Sequence, residues 1–372
     1  MNRFSTLCHG GKGIINPLNK ERSKMNGTGK KLFLSALATL LATTLLAAPF
    51  CTQAQAKERV WHLKAQAFTV PGKFDCQWVA GAKFTELVKK HTQDRVQISY
   101  HPSGELVGPR EIWTGVSAGT VDAGATLDIK EGGTHPELSF DVGAIWTIDE
   151  FFNVMHGGAL EILNRETVPE NVRIIGYFPL MRYYAVAMRK GHVKNLADLE
   201  GKKIRGMGGA SNVFLNEMKA GIVTLPMSEV PPALQTGVVE GILTGCAGLY
   251  AMHLWDVAPY FTATYSGNFG FFFLINEGTY SQFPADIKAG IEKAQAELET
   301  WYKDWDKNFW KEIRADVEAK GIKWYDLPPE ESLKWRQALT RASVAWGLKR
   351  NPKLGKELFE VVEKVTGRKV LK

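Results

Sequence analysis

Few residues of this chain stand at spacings that support bond-making chemistry. The eight histidines (His9, His62, His91, His101, His135, His156, His192 and His253) never fall at metal-ligand spacing with one another. Neither His-Glu-x-x-His nor Cys-x-x-Cys occurs, so no catalytic metal is expected. Gly209-Ala210-Ser211-Asn212-Val213 begins like a nucleophile elbow but lacks the closing glycine, and Ser211 suits a helix N-cap better. Gly206, Gly208 and Gly209 match neither the dinucleotide fingerprint nor the P-loop. They leave a helix start with exposed backbone N–H groups, which attracts carboxylates and other anions. Cys246 and His253 are seven residues apart, about two turns along one helix, too far to act as a thiol–imidazole pair. No cofactor is called for.

The surrounding elements read as α/β. A strand from Val60 to Gln66, an amphipathic helix from Phe74 to His91 and a strand from Arg95 to His101 make a βαβ unit, which implies a parallel sheet. A helix from Pro109 to Ala118 and a strand from Val121 to Leu127 continue it. A second series starts near Tyr183. It has strands at Tyr183–Met188, Lys203–Arg205 and Val239–Leu243, and helices after Gly208-Gly209-Ala210-Ser211, over Pro232–Thr236 and over Cys246–Val257. The run Asn268 to Ile275 reads as a return strand, and Pro284 to Lys320 as one long helix. That helix carries Trp301, Trp305 and Phe309 at i, i+4, i+8, a packing stripe. Two helical segments, Pro329–Arg350 and Pro352–Thr366, close the chain. The layout divides into lobe I (57–180 and 268–300), lobe II (181–267 and 301–350) and a C-terminal helical tail (351–372). Pockets favour the junction of two such lobes.

At the amino terminus, Lys30 and Lys31 precede an uncharged, largely apolar stretch from Leu32 to Phe50, and Ala54 and Ala56 frame an Ala-x-Ala site. This is the layout of a cleaved signal peptide, residues 1–56, with an uncleaved anchor as the alternative. Phe50 before Cys51 argues against a lipoprotein, and Met25 is a second candidate start. The formal charge of +7 belongs almost wholly to this segment: it holds seven of the basic residues and one acid, leaving 39 basic against 38 acidic residues beyond it. Nucleic acid therefore drops out as a partner. Beyond residue 56 the cysteines are Cys76 and Cys246, which in an oxidising compartment form either a disulfide or two buried thiols.

Four motifs, in order, carry a resemblance. They are Tyr100-His101-Pro102-Ser103-Gly104-Glu105-Leu106-Val107-Gly108, Val116-Ser117-Ala118-Gly119-Thr120-Val121-Asp122, Asn195 to Arg205 (NLADLEGKKIR), and Ser228-Glu229-Val230 with Ala233-Leu234-Gln235-Thr236-Gly237-Val238-Val239-Glu240-Gly241. Over residues 60 to 285 the chain resembles the DctP family, the solute-binding proteins of tripartite ATP-independent periplasmic (TRAP) transporters. The resemblance implies a two-lobed periplasmic binding protein fold with an interlobe cleft and a long lobe-spanning C-terminal helix. It also implies a small organic-acid ligand, integral membrane permease subunits as partners, a periplasmic location, a monomer and no catalysis.

In the family, the arginine closing the Gly-x-Lys-Ile-Arg motif pairs with the ligand carboxylate, which implies that role for Arg205; a guanidinium fork matches two carboxylate oxygens. Thr244 falls where members often carry an asparagine, and Met227 where they often carry an aromatic residue. Arg182 resembles a second arginine near the lobe crossover. Phe68 and Trp78 fall in a region that faces the cleft in the family, as does Cys76; Trp146 and Asn212 complete the candidate set. The competing readings are a binding protein of an ATP-driven (ABC-type) importer and an exported cysteine-dependent enzyme.

Overall fold

The fold was established from a computed structural model that describes residues 59–127, 143–180, 184–267 and 269–371. The 1–56 signal segment and Arg182 lie outside the described residues. The first sheet is built early. Strand β1 (Trp61–Ala67) alternates buried and exposed residues before its fully buried end. Helix α1 (Cys76–His91) starts where the Asp75 carboxylate accepts the Trp78 N–H at 2.8 Å. It ends on Lys89 and Lys90, cations that suit the negative end of the helix dipole. Strand β2 (Val96–His101) pairs parallel to β1. Helix α2 (Ile112–Ala118) leads through left-handed Gly119 to β3 (Ala123–Thr126), which pairs parallel to the other side of β1.

Helices α3 (Ile148–Val154) and α4 (Leu160–Thr167) and strand β4 (Val172–Leu180), not foreseen from the sequence, follow. Strand β4 is apolar on both faces and buried nearly throughout, so the period-2 alternation that marks a half-exposed strand is missing.

The second sheet begins with β5 (Tyr184–Met188) and β6 (Lys203–Arg205), continues through α5 (Gly209–Glu217), β7 (Gly221–Val223), α6 (Val230–Thr236) and β8 (Gly241–Thr244), then α7 (Cys246–Ala251) and β9 (Tyr260–Ser266). Helix α7 is shorter than the Cys246–Val257 expectation. His253 adopts a left-handed backbone (φ 48°) and opens a separate turn, so Cys246 and His253 do not share a helix. Strand β10 (Phe269–Asn276) returns to the first sheet, followed by α8 (Glu277–Ser281), the 35-residue α9 (Ala285–Ala319), β11 (Lys323–Asp326), α10 (Pro329–Arg350) and α11 (Pro352–Thr366). The strand orders are β2-β1-β3-β10-β4 and β11-β9-β5-β8-β6-β7.

Helix α9 packs on α1 and β4 and reaches β11 of the other sheet. Its buried Gln295 is fastened to β4: Oε1 accepts the Tyr177 N–H at 3.0 Å and Nε2 donates to the Tyr177 carbonyl at 2.9 Å. Tyr302 donates its hydroxyl to the Pro179 carbonyl, one residue from the end of β4. The stripe behaves as packing: Trp301 and Trp305 stack 5.3 Å apart and Phe309 is buried. Among the described residues no helix is long and apolar enough to cross a membrane, and no group of three His, Cys, Asp or Glu could hold a metal ion. Cys76 is a free, buried thiol.

Candidate functional site

The registers define the edge on which a ligand would sit. In the second sheet Arg205, the last residue of β6, pairs with Ile242, so Thr244, two residues on, lies on the same face at the end of β8. Thr244 in turn pairs with Ala185, at the start of β5, where the chain has just arrived from the first sheet. In the first sheet β1 ends at Ala67 beside Ala125, and Phe68 follows; β4 ends at Leu180 opposite Phe269, where the chain has just returned. Arg205 and Thr244 on one side, and Phe68 on the other, therefore occupy the two sheet edges joined by the crossovers. In open α/β sheets ligands bind at the carboxyl ends of the strands.

Arg205 is half-buried. Its Nε and Nη2 donate to one acceptor, the Leu225 carbonyl, at 3.3 and 3.2 Å, and it forms no ion pair among the described residues. Burial pulls its pKa below the ordinary arginine value, yet a guanidinium stays charged at neutral pH. A partly desolvated cation without a counter-charge is unfavourable, and an anion arriving at the edge would offset that cost.

The loop after Arg205 is held by side chains of the next helix. Asn212 Oδ1 accepts the Gly208 N–H at 3.2 Å; Ser211 accepts the Met207 N–H at 3.0 Å and donates to the Gly208 carbonyl at 2.6 Å. Ser211 is thus not the N-cap: Gly208 takes that place, and Ser211 ties the first turn from inside. A side chain at Gly206 would put its Cβ 2.0 Å from Asn212 Oδ1, so only glycine lets the loop close over the helix start. Asn212 in this arrangement is a holder of the loop that carries the α5 N–H groups.

Met227 lies two residues after the Leu225 that receives Arg205, in a short turn before α6, and is 43% exposed. Thr244 is buried and its hydroxyl donates to the Gly245 carbonyl at 3.2 Å. On the first-sheet side, Trp78 in the opening turn of α1 stacks on Tyr100 at 4.9 Å. Phe68 packs against the core, and the next residue, Thr69, donates its hydroxyl to the Asp75 carboxylate at 3.0 Å. Burial raises the Asp75 pKa, and drives the neighbouring Cys76 thiol far upward, which suits no thiolate nucleophile.

Trp146 stands apart from this group. Its indole N–H reaches the Gly143 carbonyl (3.0 Å) and Thr340 (3.1 Å), and the Arg368 guanidinium lies 3.9 Å over its ring. Two residues that the sequence did not single out do meet between the lobes: Phe74, ahead of α1, packs on Tyr250 of α7 with ring centroids 4.8 Å apart. No spacing rule links residues so distant in sequence.

Two α/β sheets joined by crossovers define the class of two-lobed periplasmic binding proteins. Residues 73–345 match the family model of bacterial extracellular solute-binding protein, family 7 (DctP), and the chain belongs to that family, the solute-binding proteins of TRAP transporters. It is 26% identical over 266 residues to the C4-dicarboxylate-binding periplasmic protein DctP of Rhodobacter capsulatus, covering 70% of this chain and 79% of the relative. Among solved structures, a TRAP periplasmic solute-binding protein of Rhodoferax ferrireducens with bound malonate superposes with a TM-score of 0.71 at 19% identity, over 82% of this chain and 98% of that one. An extracytoplasmic solute receptor of Bordetella pertussis binding pyroglutamic acid gives 0.67 at 19%, over 82% and 100%. The family assignment sets aside the ATP-driven importer class, and the family consists of receptors rather than enzymes.

Proposed function

We propose that this protein captures a small organic acid outside the cytoplasm and delivers it to the integral membrane permease subunits of a TRAP transporter, without catalysing a reaction. The observation that carries the reading is Arg205: a half-buried guanidinium at the cleft edge, held by the Leu225 carbonyl and lacking a carboxylate among the described residues. The relatives named above bind a C4-dicarboxylate, malonate and pyroglutamate, which share the carboxylate that such a fork grips.

In this reading the ligand carboxylate pairs with Arg205 beside the α5 N-terminus held by Asn212, with Met227 as an apolar wall. Phe68 and Trp78 close from lobe I (57–180 and 268–300) onto lobe II (181–267 and 301–350). Arg182 contributes a second donor, and Thr244 a weaker one because its hydroxyl already serves Gly245. Binding shifts the lobes from open to closed, and the Phe74–Tyr250 contact supports the closed form. Residues 1–56 act as the export signal, and the receptor works as a monomer.

A thermal-shift screen of organic acids, with neutral sugars and amino acids as controls, tests this. A ligand at 100 times its Kd adds about 2.7 kcal/mol to stability. Stabilisation by one or a few carboxylates supports the proposal, and stabilisation by neutral sugars alone contradicts it.

A further inference from the structure

A cavity of about 350 Å³, which Arg205 does not line, is walled by Trp146, Asp149, Tyr265, Lys303, Lys307 and Arg336 among others. Its walls come from both halves of the molecule. Asp149 opens α3, Tyr265 is the penultimate residue of β9, and Arg336 sits on α10, which packs on β9. The two lysines lie on the helix that runs along both sheets.

The charges in this cavity are unbalanced. Arg336 is half-buried and donates Nε to the Tyr265 carbonyl at 2.8 Å; its guanidinium lies 5.9 Å over the Trp146 ring, and its two amino groups have no hydrogen-bond partner among the described residues. The neighbouring Glu150 is held in a two-pronged pair by Arg368, so it attracts Arg336 only without contact, while Arg368 repels it. Among the described residues Lys303 and Lys307 form ion pairs with Asp149 and Asp304 alone, which are 71% and 77% exposed, and such surface pairs hold a lysine weakly. Tyr265, which presents the carbonyl to Arg336, has a left-handed backbone (φ 52°), a conformation that costs energy for an aromatic residue and tends to persist where function requires it.

We infer that this cavity is a second ligand site, distinct from the carboxylate site, that takes a small free dianion of the phosphate or sulfate kind. A guanidinium fork and two ammonium groups from two helices line it against one carboxylate, Asp149, and this net positive wall suits an anion with oxygens on several sides and more than one charge. The volume leaves room for such an ion with several waters, whose share is about 30 Å³ each. Because its walls belong to both halves, an occupant touches the joint on which the lobes turn, and binding there is coupled to their relative position.

The test is calorimetric titration of the purified protein with inorganic phosphate, sulfate and, as a monoanion, acetate, at ionic strength held constant with chloride. Wild type and Arg205→Met should bind phosphate and sulfate alike. Arg336→Met should weaken both by at least about tenfold, the loss of a charge-assisted contact. Lys307→Gln, on an exposed position that does not threaten folding, should weaken them a few-fold, and acetate should bind Arg205→Met much more weakly than phosphate does. The inference is overturned by absence of saturable binding at millimolar phosphate. It is equally overturned if affinity is unchanged in both Arg336→Met and Lys307→Gln, or if it is lost in Arg205→Met, which would place the ion at the carboxylate site. Failure of the organic-acid screen would leave these outcomes readable, since they do not depend on it.

Discussion

Replacing Arg205 by methionine separates binding from folding in a way few substitutions do. In the ligand-free protein the guanidinium gains two hydrogen bonds to one carbonyl, yet burial without a counter-charge opposes it. The two effects are of similar size, about 1–3 kcal/mol each, so Arg205→Met should change the stability of the empty protein by no more than about 1 kcal/mol. That corresponds to a melting temperature within about 3 °C of wild type. With ligand the balance is different. A two-pronged carboxylate pair in a cleft that closes around it contributes about 3–5 kcal/mol, so Kd should rise on the order of 10²–10³-fold. Arg205→Lys keeps the charge but loses the fork and should fall between. Calorimetry with the acid that best stabilises wild type, alongside denaturant unfolding of the empty proteins, reads both quantities. Retention of affinity within threefold, or loss of several kcal/mol of stability without ligand, would mean that Arg205 is a structural residue and the reasoning from its missing partner fails.

Two further substitutions probe the scaffold. Gly176 in β4 faces the Phe84 ring so closely that an added Cβ would lie 2.7 Å from Cζ, and Phe84 is pinned against Phe273 at 4.9 Å. Gly176→Ala should cost about 1–3 kcal/mol in urea unfolding while leaving ligand affinity nearly unchanged, and a cost below about 0.5 kcal/mol would show that the ring can yield. Glu240 accepts the Lys203 N–H at 3.0 Å, which with Lys202 holds its carboxyl below the usual glutamate range. Because the folded value is lowered, its contribution is present above the unfolded glutamate pKa and disappears as pH falls through the folded one. Glu240→Gln should therefore be less stable than wild type at pH 7, by no more than about 1 kcal/mol at this exposed site, and the two should converge in acid. Equal differences at pH 7 and pH 3 would contradict that assignment.

Much of the architecture is legible in the sequence because local signals agree there. The β1–α1–β2 unit reads from its alternation and its Asp75 start, and the long late helix from its periodic apolar face. Strand β4 escaped because it is buried on both sides, and Tyr260–Ser266 because its Thr-rich run resembles a loop until it pairs with β5. At the site, residue type and motif point to Arg205, but the feature that makes it informative, a lone carbonyl partner, exists only once Leu225 is folded beside it. The Phe74–Tyr250 contact and the Arg336 cavity join segments far apart in the chain, and no local spacing encodes them. Ser211 illustrates the opposite limit: the sequence marked the right helix start but the wrong residue, because left-handed Gly208 takes the N-cap and frees the hydroxyl to act one turn inside.

The most direct measurement of the central claim is small-angle X-ray scattering of the purified protein with and without the stabilising organic acid, repeated with Arg205→Met. Wild type should show a smaller radius of gyration on saturation, as the lobes close, and the variant should show no change at the same ligand concentration. An unchanged radius in saturated wild type, or the same contraction in the variant, would contradict a receptor that closes on a carboxylate held by Arg205.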